Sequence, residues 1–228
     1  MNYFFQITPS TMNGLFVPMK DLPEWADGEE TLNGFTHAPG ILISLFTLYN
    51  LYQKSAKSGD KYKVISFMIF GLSLLNLYIV STIYHFAQSP GFKMFMRYFD
   101  HISIFFVIAG SYTPFTLTVL RPTCGWYVFA AIWIIAFIGI TFKILRFDDF
   151  EEYSVFYFIG MGSVSFLSAK QLYTKLNRDC LFYLILGGLS YLSGTFFYVK
   201  TVQYAHAIWH LFVLGGSSCH FLSIVNNL

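Results

Sequence analysis

The sequence predicts an all-α membrane protein, a seven-transmembrane helix bundle, and three observations carry that prediction. Hydrophobic residues fill 55% of the 228 positions and charged residues only 11%, against about 45–50% and about 25% in soluble globular domains, and the mean hydropathy is +0.55. The apolar residues gather into blocks roughly 20 long, the length at which a helix crosses about 30 Å of hydrocarbon. The connections between blocks are too short to hold an extramembrane domain. Because the blocks are continuous, without the period-two alternation of a lipid-facing strand, and odd in number, they read as helices and not as a barrel.

A short acidic extramembrane segment is expected over 1–35, where Asp21, Glu24, Asp27, Glu29 and Glu30 outweigh Lys20. It lacks the basic start, apolar centre and small-residue cleavage site of a secretory signal, so the mature chain is expected to begin near Met1. The transmembrane domain then occupies 36–228, with spans at 36–52, 63–85, 97–119, 124–143, 153–173, 180–199 and 203–226. Pro114 interrupts the third span and predicts a kink whose freed carbonyls Ser111 and Thr113 can re-satisfy. Gly160 with Gly162, Gly187 with Gly188, and Gly194 offer small surfaces on which spans five and six are expected to approach closely. Counted by parity, six Lys and Arg lie on the N-terminal side and eight on the other. That imbalance leans toward an external N-terminus in a multi-pass protein of the cell membrane.

A formal charge of +2 provides neither a basic field for nucleic acid nor an acidic tail for a basic partner. Nucleic-acid binding is excluded, no protein partner is identifiable, and the bilayer and its lipids are the expected surroundings and ligands. Cys124, Cys180 and Cys219 form no short metal or disulfide pattern.

Chemistry is sought among titratable groups at span ends, since a charge inside a span costs about 2.5–3.5 kcal/mol and persists only with a partner. By parity His37, His85, His101, His206 and His210 share the N-terminal membrane level with Asp100. His206 and His210 are four residues apart and stack on one helix face, which suits two ligands of one Zn²⁺. His85 reaches the same depth from another helix, and three histidines leave the open position of a catalytic site. Asp100 can orient water there and accept its proton. Ser81, one turn before His85, faces the same way and can hold Asp100, an imidazole or a substrate oxygen. His101 lies about 100° around the helix from Asp100 and is expected to turn elsewhere. His220 is about 15 Å beyond His210 and is expected to be a packed, hydrogen-bonded histidine. His37 has the right level, and a plain interfacial role is expected for it.

These residues also form a recognisable set. Ser-Thr-Ile-Tyr-His at 81–85, Asp-His at 100–101 followed by Ala-Gly-Ser-Tyr-Thr-Pro-Phe at 109–115, and His-Ala-Ile-Trp-His at 206–210 resemble the hemolysin III family. That family belongs with the progestin and adipoQ receptors and is more distantly similar to the alkaline ceramidases. Glu-Glu-Thr-Leu-Asn-Gly-Phe-Thr-His at 29–37 resembles the family's entry to its first helix. The resemblance implies a seven-helix fold with zinc on His85, His206 and His210, Asp100 at the metal's water and Ser81 beside them. It departs at the acidic 18–30 segment, and the adiponectin-receptor branch implies a cytoplasmic N-terminus, against the charge count.

The expected function is a zinc-dependent intramembrane hydrolase of a lipid amide or ester, as the likeness to ceramidases suggests. One alternative is a non-enzymatic receptor or lipid-state sensor in which zinc merely ties helices together. The other is the pore-forming hemolysin of the family's name, which finds little support because no span carries a continuous polar stripe.

Overall fold

Local chemistry fixes most of the helix ends. Gly28 opens the first helix from a left-handed conformation (φ 79°) that a side chain would strain. Asp60 caps the second by accepting from the Tyr62 N–H at 2.9 Å, and Asn177 caps a later one by accepting from the Cys180 N–H at 2.8 Å. Pro90 sits at a helix start, where its missing N–H costs nothing.

The computed structural model describes residues 22–23, 25–200 and 202–227, and no strand occurs among them. The elements are α1 (Glu29–Ala56), α2 (Lys61–Phe86), α3 (Pro90–Leu117), α4 (Gly125–Leu145), α5 (Phe147–Glu151), α6 (Ser154–Ser163), a 3₁₀ turn (Val164–Ser168), α7 (Ala169–Lys175), α8 (Arg178–Tyr198) and α9 (Ala205–Asn227). Four are long and apolar enough to cross a membrane: α2, α4, α8, and α9 over Ala205–Asn226. The all-α membrane class therefore holds, and among the described residues length and apolarity support four crossings of the expected seven.

Two expected spans fall short for visible reasons. In α1 and α3, each 28 residues long, polar residues interrupt the apolar run, and those residues point inward: Asn33, His37, Ser44 and Thr47 of α1 and Asp100, Ser103, Thr113 and Thr116 of α3 are buried. The fifth expected span, 153–173, is not one helix but α6, the 3₁₀ turn and α7. Tyr112 of α3 causes the break by placing its hydroxyl against the Met161 and Gly162 carbonyls, at 2.9 and 2.5 Å, while accepting from the Ser165 N–H at 3.0 Å. Carbonyls taken by a neighbouring hydroxyl no longer hold the α-helical register.

The helices pack as a ring, α1 on α2, α2 on α3, α3 on α4, α8 on α9 and α9 back on α1, with α6 touching α3, α4 and α8. One core cluster joins Phe67, Phe70, Leu74 and Tyr78 of α2 to Val107 of α3 and Val213 of α9. A second joins Ile102, Phe105 and Ala109 of α3 to Ile132, Ala136 and Ile140 of α4 and Phe158 and Met161 of α6. Thus α3 is the shared wall of both.

The glycines act elsewhere than expected. A Cβ on Gly160, Gly162 or Gly188 would meet open space, whereas one on Gly187 would strike His220 and one on Gly194 would strike Trp209 and Phe212. Close approach occurs between α8 and α9, not between the fifth and sixth expected spans. At Pro114 the hydroxyls of Ser111 and Thr113 bond the Ile108 and Ala109 carbonyls, both at 2.8 Å, in the turn before the proline. The acidic segment begins outside the described residues, and α1 starts at Glu29, inside the stretch read as extramembrane.

Candidate metal centre

The starts of α1, α3 and α9 and the end of α2 meet at one end of the ring, and the polar residues of those turns converge there. His206 and His210 of α9 present their rings 4.5 Å apart, and the ring of His85 lies 5.3 and 5.1 Å from them. One ligand atom from each of the three falls within 4.8 Å of the others. His85 and His210 are each only 2% exposed.

Hydrogen bonds to the far side of two rings fix which nitrogen is free. His85 Nδ1 lies 2.6 Å from Glu30 Oε2. His210 Nδ1 lies 3.1 Å from the Asn33 carbonyl and 2.9 Å from Thr36 Oγ1, whose own proton goes to that carbonyl at 2.8 Å. Carboxylates and carbonyls only accept, so both imidazoles carry their proton on Nδ1 and turn an Nε2 lone pair inward. His85 Nε2 is buried without a hydrogen-bond partner. An unpaired buried acceptor costs about 1–3 kcal/mol, and a metal ion would satisfy this one. Two donors of a tetrahedral zinc ion sit about 3.3 Å apart, so the cluster needs only a small contraction to hold one. The three-histidine group can therefore hold a metal ion.

Ser81, one turn before His85 and buried, lies 2.8 Å from His37 Nδ1 and near the Asp100 carboxyl. The hydroxyl and the imidazole share one hydrogen bond, whose direction follows the His37 tautomer. The His37 ring stacks on His210 at 3.6 Å and its Nε2 has no partner. Trp25 closes the group from outside, its ring 5.0 Å from His206 and 6.4 Å from His85.

The three predicted histidines thus converge, Ser81 joins them through His37, and Asp100 is buried on α3 near Ser81 and His85. His101 turns away, as expected, to Glu151 at 3.2 Å and the ring of Phe147. His220 packs in the space that Gly187 leaves, against Tyr191. His37 differs from expectation: it is 2% exposed and belongs to the cluster, not to an interface. Glu30, Asn33 and Thr36 were read only as part of the entry to the first helix and not as site residues. Their signal was available, because Glu30, Asn33 and His37 are spaced to share one face of a helix that begins at Glu29. Reading spans from apolar blocks alone discards a helix start made of polar residues.

A second buried polar group adjoins the first. Lys143 of α4 is fully buried, pairs with Glu151, sits 4.0 Å over the Phe147 ring and reaches Ser154 at 3.3 Å. Glu151 also accepts from the Tyr198 hydroxyl at 3.0 Å, and the Tyr198 ring approaches His206.

Comparison with known proteins agrees with this picture. The family described as Haemolysin-III related matches residues 26–221. The chain is 39% identical to the Hemolysin-3 homolog of Bacillus subtilis (strain 168), over 86% of this chain and 93% of that protein. It is 37% identical to Hemolysin-3 of Bacillus cereus, over 86% and 90%. It is also 31% identical to the human Monocyte to macrophage differentiation factor, over 86% and 83%. From the match across all four helix ends that build the histidine cluster, and from its apolar helices, the chain belongs to the haemolysin III family of membrane proteins.

Proposed function

We propose that the protein is a seven-pass cell-membrane hydrolase that cleaves an amide or ester of a membrane lipid, using zinc on His85, His206 and His210 with Asp100 as proton carrier. The observation that carries the reading is the convergence of three imidazoles with no fourth protein ligand in the group among the described residues, the buried Asp100 carboxyl standing near His85. Zinc bound there supplies a Lewis acid that acidifies water and polarises a carbonyl.

The residues supply the rest. Asp100 takes the proton from the attacking water and returns it to the leaving nitrogen or oxygen. Ser81, near that carboxylate, is placed to donate to it and to keep it turned toward the histidines. The apolar helix walls hold the acyl chain, and α1 and α3 complete the bundle by burying polar faces that lipid would not solvate.

The test begins with zinc per polypeptide by elemental analysis of detergent-purified protein. About one zinc per chain is expected, lost in the His206→Ala/His210→Ala variant. Fatty acid release from a panel of lipid amides and esters should then depend on Asp100. Zinc-loaded protein that releases no fatty acid from any of them sinks the hydrolase reading.

The close cover of Trp25 over His206 favours a second reading, a receptor or sensor in which metal only ties α2 to α9. In that case His206→Ala lowers stability and Asp100→Asn is silent in every assay.

A further inference from the structure

We infer that Glu30, clamped by Lys93, is the positioning residue that presents His85 Nε2 to the metal, an inference that rests on the metal reading above. His85 stands in the last turn of α2, where neither ring orientation nor tautomer is set by the helix itself. Glu30 Oε2 takes the Nδ1 proton at 2.6 Å, and Glu30 Oε1 pairs with the Lys93 ammonium at 2.7 Å.

Lys93 is itself fixed. Its ammonium reaches the carbonyls of Tyr84, His85 and Ala87 at 3.3, 3.4 and 3.4 Å, the unsatisfied end of α2, and lies 5.2 Å over the Tyr84 ring. The same cation therefore caps the helix that carries His85 and holds the carboxylate that orients His85. Three helices are joined by this one chain of contacts: α1 through Glu30, α2 through its C-terminus, α3 through Lys93.

The charges of Glu30 and Lys93 offset each other, so the contribution of Glu30 to the site is orientation and not net charge. A carboxylate behind a ligand imidazole fixes the tautomer and raises its basicity, and losing it weakens metal affinity about 10–100-fold. Among the described residues the His206 ring meets Trp25, His85, Tyr198 and His210, and these neighbours align it.

The experiment titrates Zn²⁺ into the full-length protein in detergent against a competing chelator. Glu30→Gln is expected to weaken zinc about 10–100-fold while helical content and the thermal midpoint of the zinc-free protein stay as in wild type. The Glu30→Gln/Lys93→Met pair, which restores charge balance, should remain equally weak. Wild-type affinity in Glu30→Gln overturns the inference, and so does recovery in the double variant, which would make the loss simple repulsion by an unpaired Lys93.

A wild-type protein that binds no zinc would remove the metal reading without touching this contact. The ¹⁵N resonances of the metal-free protein, with His85 assigned by difference against His85→Gln, decide the contact in that event and also if Glu30→Gln does not accumulate. A proton on Nδ1 of His85 supports the inference, and a proton on Nε2 overturns it.

Discussion

At the scale of single residues, the site is a set of proton positions as much as a set of atoms. Ser81 hydrogen-bonds His37 and lies near Asp100, so one hydroxyl stands between a histidine and a carboxylate. Asp100→Asn keeps the shape and removes the proton acceptor. Lipid hydrolysis by this variant is expected to fall by about 10²–10⁴ with zinc content unchanged, as measured by fatty acid release and elemental analysis on one preparation. Retained activity would remove Asp100 from the mechanism. The converging histidines were legible because an i,i+4 pair declares a shared face wherever its helix lies. The role of His37 was not, because which way a lone residue at a helix start points depends on how that helix is rotated against its neighbours.

At the scale of elements, contacts between helices override local apolarity. The 153–173 block is apolar enough to suggest one span, and Tyr112 breaks it by engaging three backbone groups of α6 and the turn that follows. Tyr112→Phe strips those partners and is expected to cost about 1–3 kcal/mol, read as a lower midpoint in denaturant or thermal unfolding in detergent. An unchanged midpoint would mean that another interaction breaks the helix.

Between α1 and α2 the limit is steric, since a Cβ on Gly40 would come within 2.4 Å of the Tyr78 ring. Tyr78 is fully buried and anchored on Ser217 at 2.8 Å, so it has nowhere to retreat. Gly40→Ala is therefore expected to destabilise by about 1–3 kcal/mol, the range for overpacking, measured the same way against a Gly160→Ala control, whose Cβ meets open space.

At the scale of the whole molecule, the end opposite the histidines is tied by one ion pair between loops. Arg121, after α3, grips Asp60, before α2, through two bonds of 2.9 and 2.8 Å. The Arg121 guanidinium beside Asp60 holds its carboxyl below the usual carboxylate range. A depressed folded pKa stabilises the fold above the unfolded value of about 3.9 and loses that effect as pH falls through the folded pKa. The thermal midpoint of wild type is thus expected to exceed that of Arg121→Gln at pH 7, with the gap closing below about pH 4. A gap that stays at its pH 7 size as the pH falls below about 4 and on to the acid limit would show that Arg121 acts through its packing on Tyr62, 4.8 Å away, and not through its charge.

By itself the sequence determined the membrane class, since 55% hydrophobic residues in long blocks leave lipid as the solvent and helices as the way to satisfy the backbone. It also picked out the three histidines that converge and the aspartate near them, because helical spacing and membrane level are one-dimensional properties. The tertiary structure decided the rest. Which of the polar residues at the start of α1 turn inward, where Tyr112 finds carbonyls to engage, and that α8 packs on α9 through Gly187 and Gly194 all depend on the relative rotation of helices. That rotation is set by close packing among side chains distant in the chain, which periodicity within one helix does not encode.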